Sequence, residues 1–141
     1  EGICEIYQIR KLIEPAVCTQ YFYNLDKSRL LEFDSQFQQV DLNDDRRYYE
    51  LDFSFHSWLV SAAKNQTLDA FFHSLMQLQY RFSMYTVRMG TAVKGDFYTE
   101  HHEIIEALLS EDLERLGRVL VSHANYSEVI ALRTLIAAQI S

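Results

Sequence analysis

Apolar residues recur along most of this chain at helical spacing, and the clearest case is the segment 48–65. Five apolar residues of this segment share one face: Leu51, Phe55, Trp58, Leu59 and Ala62. Asp52 and His56 lie one turn apart and nearly opposite the polar stripe of the same helix, because each residue turns the helix by about 100°. The pattern therefore directs a carboxylate and an imidazole toward the protein interior.

Buried polar side chains such as Asp52 and His56 are costly unless something in the interior binds them. The structural interpretation is that the two residues satisfy each other as an i, i+4 pair. The functional interpretation is that both bind a ligand. Taken alone, the segment leaves both interpretations open.

The same periodicity predicts six helices and no strand. The helices cover about residues 3–25, 27–40, 48–65, 66–89, 96–109 and 110 to near the end. One proline and four glycines in the whole chain favour long helices, and Pro15 is expected to kink the first helix or weaken its hydrogen bonding. Short connections between these helices predict an all-α fold, an antiparallel bundle. We expect this bundle to enclose a cavity for a metal ion and a ligand.

Arginines lie on or near two of the predicted core faces. Arg10 shares the buried face of the first helix, where an arginine needs an anionic partner. That partner is Glu14, one turn further along, or the carboxylate or phosphate of a bound small molecule. Arg81 lies at the border of the predicted core face of the fourth helix. We expect that face to contain Leu68, Phe71, Leu75, Leu78 and Phe82.

Composition narrows the class of protein. A chain of 141 residues with 48% hydrophobic residues is one domain with a substantial core, and its net charge of −7 makes it a poor nucleic-acid binder by itself. No apolar run reaches the length of a membrane span, and no secretory signal is recognisable. Cys4 and Cys18 would lie about 21 Å apart on one helix, which excludes a disulfide between them and favours a cytoplasmic location.

Helical phase separates the five histidines into two groups. His101 and His123 lie within apolar stripes of the fifth and sixth helices, and His56 faces inward as described. His73 and His102 point outward. Three inward imidazoles and the Asp52 carboxylate predict a mononuclear metal site, since neutral imidazoles and a carboxylate suit zinc, nickel or a similar ion.

Three other interpretations of these residues remain open. A hemerythrin-like diiron site needs about five inward histidines and two bridging carboxylates, which the outward phase of His73 and His102 disfavours. A mononuclear zinc hydrolase needs a general base beside the metal-bound water. Only Glu14 is an evident further inward acid, because Glu100 lies on the flank of its helix. A metal that only staples a structural bundle is the third.

Four segments of the chain resemble a known family. The segments are EIYQIRKLIEPAV, ELDFSFHSWLVSAAKNQTL, EHHEIIEALLSEDLERL and VSHANYS, and together they extend over nearly the whole chain. They resemble the C-terminal effector domain, called FCD, of GntR-type transcriptional regulators in the FadR-like subfamily. In the metal-binding members of that family, the ligand positions match Asp52, His56, His101 and His123. Helical phase selects the same four residues.

The resemblance implies a sensor domain rather than an enzyme. Such a domain binds a divalent metal ion, here most simply zinc, with nickel or manganese as alternatives, and a small organic acid over the ion. We expect a short mono- or dicarboxylate, such as a hydroxy acid or sugar acid, with Arg10 and Arg81 as ligand-binding residues. Family members are usually homodimers and bind DNA through an N-terminal winged helix-turn-helix domain. The full-length protein is expected to have that domain, and this chain does not contain it.

Overall fold

A computed structural model describes residues 2–140 of the chain, apart from the side chains of Ala138 and Ile140. Six α-helices make up most of it: α1 (Gly2–Tyr21), α2 (Lys27–Gln39), α3 (Asp45–Val60), α4 (Gln66–Arg88), α5 (Phe97–Leu109) and α6 (Leu113–Ile140). Short 3₁₀ turns, Phe22–Asn24 and Ser61–Ala63, follow α1 and α3. The described residues contain no strand, so the predicted all-α bundle of six helices is confirmed.

Aspartate and asparagine side chains fix where the helices begin. In each case a side-chain oxygen accepts a hydrogen bond from a backbone N–H of the first turn. These capping residues are Asp26, Asp44, Asn65, Asp96 and Asp112. The sixth helix therefore begins after Asp112 rather than at Ser110, where the sequence predicted its start.

Helix α1 continues through Pro15 and ends at Tyr21, earlier than the predicted end near residue 25. Proline has no N–H, so the hydrogen bond that position 15 would normally donate to the preceding turn is missing. The Thr19 hydroxyl donates to the Pro15 carbonyl at 2.7 Å within the same helix. The helix thus passes its proline with one backbone hydrogen bond fewer.

The helices pack around two hydrophobic clusters. Phe33, Phe37 and Phe55 occupy the centre of the larger one, to which α1, α2, α3, α5 and α6 contribute. The smaller cluster joins the first half of α1 to α4, with Phe72 and Met76 fully buried. Helix α1 lies along α6 and also contacts α3 and α4, so the first helix is bound on several sides.

The predicted core face of α4 is partly correct, since Leu75 is buried and Leu68 and Phe82 pack against the core. Phe71 and Leu78, however, are 49% and 50% exposed, whereas Phe72 and Met76 are 0% and 1% exposed. The centre of the buried face is therefore turned toward Phe72 and Met76, because one residue corresponds to about 100° of helix rotation. Gln79 lies on the face that is buried, where it accepts a hydrogen bond from Arg10 of α1. Along residues 2–140, no helix combines the length and the hydrophobicity that a bilayer-spanning segment requires.

Candidate metal centre

Four side chains from three helices converge at one point in the interior. Asp52 and His56 come from α3, His101 from α5 and His123 from α6, and one donor atom of each lies within 4.8 Å of the other three. The Nε2 atom of His56 is 3.1 Å from that of His123 and 3.3 Å from that of His101. The Asp52 Oδ1 atom is 2.8 Å from His101 Nε2. These are the four residues that helical phase selected.

The Nδ1 atom of each histidine ring contacts an oxygen on the side of the ring away from the centre. His56 Nδ1 bonds to a Glu14 carboxylate oxygen, and His123 Nδ1 lies 3.1 Å from Glu100 Oε1. His101 Nδ1 lies 2.8 Å from the Phe97 carbonyl oxygen, one turn earlier on α5. The Phe97 carbonyl and the ionised Glu14 carboxylate only accept hydrogen bonds, so Nδ1 carries the hydrogen in His101 and His56, and a neutral ring leaves its Nε2 lone pair free. When His123 Nδ1 donates to Glu100 in the same way, all three Nε2 atoms are directed at the centre, as in histidine metal sites.

The charges around these rings favour a cation. Burial lowers the pKa of His101 and of His123, so both rings are neutral near pH 7. Burial acts against the charge of His56 too, but the Glu14 and Asp52 carboxylates raise its pKa above the ordinary value. Asp52 keeps a pKa well below its usual range despite its burial, because His56 and His101 lie beside it. The ionised carboxylates thus favour a positive charge at His56, and a metal ion would take the place of the proton among the converging nitrogens.

A second layer of side chains connects this centre to α1. The Arg10 Nε atom donates to Glu14 Oε2 at 2.7 Å, and Nη1 donates to Gln79 Oε1 at 2.8 Å. Gln79 Nε2 in turn lies 3.3 Å from Asp52 Oδ2. Burial acts to raise the pKa of Glu14, but the charges and hydrogen bonds of Arg10 and His56 together outweigh burial and lower that pKa to about 2. Glu14 is therefore an anion that pairs with Arg10 and orients His56.

A family model for the FCD domain matches residues 5–126 of the chain. The chain belongs to the FCD family. FCD domains are the C-terminal effector domains of GntR-family transcriptional regulators, and they are regulatory domains rather than enzymes. Comparison with curated proteins gave no match. Comparison with solved structures gave none either.

The donor set of this FCD domain suits a divalent metal ion. Three imidazole nitrogens and one carboxylate oxygen are ligands that zinc, nickel and manganese accept. Each ring has the outer contact that fixes the tautomer of a metal-binding histidine. Asp52, His101 and His123 also line a cavity that borders the centre, so the donor cluster faces open space on one side.

This cavity lies between α1, α3, α4, α5 and α6 and has about 670 Å³ of space outside the protein atoms, open solvent at its mouth included. The segment before α5 contributes Val93, Gly95 and Asp96 to its wall. The Asp96 N–H donates to the Tyr126 hydroxyl at 3.0 Å, which ties that segment to α6.

The structure separates the other candidate residues from this cavity. Arg10 is 1% exposed, is bound to Glu14 and Gln79, and does not line the cavity. Arg81 is exposed on α4 and does not line it either, because the true phase of α4 turns it outward. His102 pairs instead with Asp34 of α2, and His73 is exposed. The direct contact of Arg10 and Arg81 with a ligand stays a prediction, and neither side chain lines this cavity.

The sequence indicated Glu14 as a partner of Arg10 and as a further inward acid, and it placed Glu100 on the flank of its helix. In the structure Glu14 also holds His56, and Glu100 holds His123 while lining the cavity. Burial raises the pKa of Glu100 to about 7, helped by Glu103 and Asp96. The available signal for Glu14 was its inward phase, one turn from an inward arginine. For Glu100 the sequence offers no comparable signal.

Proposed function

We propose that this FCD domain binds a divalent metal ion through Asp52, His56, His101 and His123, and a small organic acid in the adjoining cavity. Zinc is the first choice for the ion, with nickel and manganese as alternatives. The convergence of three imidazole Nε2 atoms, each with its Nδ1 atom held by an oxygen, carries this proposal. Three Nε2–H groups would face one another unfavourably in this arrangement, whereas three unprotonated Nε2 atoms are preorganised to bind one metal ion.

We include an organic acid in the proposal because one side of the centre is open to the cavity. Four protein donors leave a five- or six-coordinate ion with places for further oxygen ligands, and the cavity begins at Asp52, His101 and His123. A ligand carboxylate is an anionic oxygen donor that suits such a place. The ion would then be both a structural link between helices and the main attachment point of the effector.

In the full-length regulator, which we place in the FadR-like subfamily and in the cytoplasm, occupancy of this site would act on an N-terminal winged helix-turn-helix domain. We also propose a homodimer, as paired DNA-binding domains require. The face of α4 that carries Phe71, Leu78 and Tyr85 at seven-residue spacing supports it, because these side chains are about half exposed. Sedimentation equilibrium of the isolated domain tests this part, and a monomer at all concentrations would contradict it.

Elemental analysis and native mass spectrometry of the purified domain test the metal proposal directly. We expect close to one ion per chain in the parent protein and almost none in His123→Ala, since that change removes one of four ligands. A domain that takes up no zinc, nickel or manganese, even after these ions are added in excess, would refute the proposal. The same protein should show no turnover of ester or amide substrates, in contrast to a zinc hydrolase.

A further inference from the structure

The cavity wall away from the metal centre has hydroxyl groups and no cationic side chain. None of the described residues that line it is a lysine or an arginine, and its acidic residues are Asp52, Asp96 and Glu100. The nearby Arg10 is closed off from it and already paired with Glu14. An anionic group bound away from the metal would therefore meet carboxylates without a counter-charge, which is costly.

Two tyrosine hydroxyls in this wall have no partner among the described residues. Tyr7 and Tyr48 line the cavity and are only 5% and 6% exposed, yet neither hydroxyl makes a hydrogen bond in that part of the chain. Neither oxygen is sealed in the protein, so both remain accessible from the cavity. Tyr48 also lies one turn before Asp52 on α3, next to the metal centre. A phenol hydroxyl donates and accepts, so it pairs well with a hydroxyl of a ligand.

Serine and threonine side chains extend this polar wall away from the metal. Ser83 and Thr86 of α4 and Thr134 of α6 line the cavity, and each hydroxyl donates to a carbonyl of its own helix, at 3.1, 2.7 and 3.0 Å. Their oxygens are then left as acceptors. Thr134 lies eleven residues beyond His123, or about 16 Å along the helix axis. A six-carbon chain is only about half that long, so these acceptors continue beyond the full length of such a ligand.

We propose that the effector is a polyhydroxy monocarboxylate. Its single carboxylate binds the metal, and its neutral hydroxyls pair with Tyr7, Tyr48 and the serine and threonine oxygens. This inference rests on the proposed function and narrows it. A dicarboxylate is disfavoured because its second carboxylate has no hydrogen to donate to these acceptors and finds no cation. A plain fatty acid is disfavoured because it leaves the buried tyrosine hydroxyls unpaired.

Titration calorimetry of the zinc-loaded domain against six-carbon compounds tests this choice. The compounds are gluconate, galactonate and mannonate as polyhydroxy monocarboxylates, glucarate as the dicarboxylate, hexanoate as the plain acid and sorbitol as the polyol. We expect the best of the three aldonates to bind at least about tenfold more tightly than glucarate or hexanoate, which corresponds to one or two hydrogen bonds. Sorbitol should not bind measurably. His123→Ala protein, which should hold almost no zinc, gives the heat of any binding that does not involve the metal.

The outcomes separate the two proposals. Failure of the domain to hold zinc would refute the proposed function and this inference with it. Zinc binding with glucarate or hexanoate as tight as the best aldonate, or with no aldonate binding at all, would overturn only the polyhydroxy monocarboxylate. In that case the metal site would stand.

Tyrosine variants test the residues. Tyr7→Phe and Tyr48→Phe should each weaken the best aldonate about three- to tenfold while leaving hexanoate unchanged, because only a hydroxyl contact is removed. Tyr23→Phe is the matched control, since Tyr23 is 67% exposed and does not line the cavity. Equal losses for aldonate and hexanoate would mean that the tyrosines only shape the cavity, and the assignment of hydroxyl recognition would fall.

Discussion

Single residues behind the histidines decide how well the candidate centre is organised. Glu14, Glu100 and the Phe97 carbonyl each hold one ring nitrogen, so the rings cannot turn their free nitrogens away from the centre. Such outer contacts usually account for a ten- to hundredfold difference in metal affinity. The centre is therefore larger than its four donor residues.

Glu100→Ala should lower metal affinity by about ten- to a hundredfold, because His123 loses the carboxylate that orients it. Competition with a chromophoric chelator measures the change. Glu103→Ala on the same helix is the control, since Glu103 is exposed and forms no part of the cluster. Equal effects of the two substitutions would show that Glu100 acts only through surface charge.

The adjacent histidines of α5 offer a second comparison. His101→Ala should remove most of the metal binding, whereas His102→Ala should leave it within a few-fold, because His102 lies on another side of α5 and pairs with Asp34. The same chelator competition reads out both variants. Similar losses of metal binding in both variants would contradict the assignment of His101 alone as the metal ligand of this pair.

Helical phase was enough to select the four residues of the cluster, since each lies on the inward side of its helix among apolar neighbours. It was not enough for Glu100, whose partner His123 belongs to a different helix. That contact depends on how α5 packs against α6, and periodicity within one helix does not record it. The same limit applies to Arg10, whose inward phase was clear but whose charge is taken up by Glu14 instead of a ligand.

At the scale of elements, α4 shows where the hydrophobic pattern becomes ambiguous. Adjacent phenylalanines at positions 71 and 72 fit two faces that differ by one residue, and both faces contain further apolar side chains. The structure selects the face with Met76 and Gln79, where α1 packs and Arg10 needs a hydrogen-bond acceptor. A polar residue on the buried face misled the sequence prediction, which counted only apolar positions.

Alanine substitutions at the two phenylalanines check this phase. Phe72→Ala should lower the free energy of unfolding by about 3–5 kcal/mol, because it leaves a cavity between α4 and α1. Phe71→Ala should cost less than about 1 kcal/mol in the monomeric domain, since half of that side chain is exposed. Urea denaturation measures both. A larger loss at position 71 would restore the face predicted from the sequence.

Gly95, just before α5, and Gly117 of α6 differ in the space that is available for a side chain. A Cβ at Gly95 would meet the Tyr126 hydroxyl at 2.4 Å, whereas the closest atom to a Cβ at Gly117 of α6 is Thr19 Cγ2 at 3.9 Å. Gly117→Ala should therefore stabilise the domain by about 0.5–1 kcal/mol through helix propensity. Gly95→Ala should destabilise it and displace the segment beside the cavity, and Tyr126→Ala in the same protein should relieve that effect. Thermal unfolding distinguishes the three proteins, and a stabilising Gly95→Ala would contradict the close approach.

For the whole molecule, the candidate centre joins helices that are far apart in sequence. Its donors belong to α3, α5 and α6, and Glu14 adds α1, so a bound ion would link four of the six helices. Removal of the metal by a chelator should lower the melting temperature by about 10 °C, for an ion present at about a thousandfold above its dissociation constant. Re-addition of zinc should restore it, and His123→Ala protein should respond to neither. An unchanged melting temperature would show that the ion does not hold the bundle together.

Pro15 gives α1 a point at which the helix bends more easily. The missing backbone hydrogen bond lies beside Glu14, whose carboxylate bonds to the His56 ring. The thirteen residues from Gly2 to Glu14 form a segment about 18 Å long, so a tilt of about 10° at the proline would move its far end by about 3 Å. A small displacement of Glu14 at the metal centre would therefore become a larger displacement at the N-terminal end of α1. The proposed DNA-binding domain would be attached at that end.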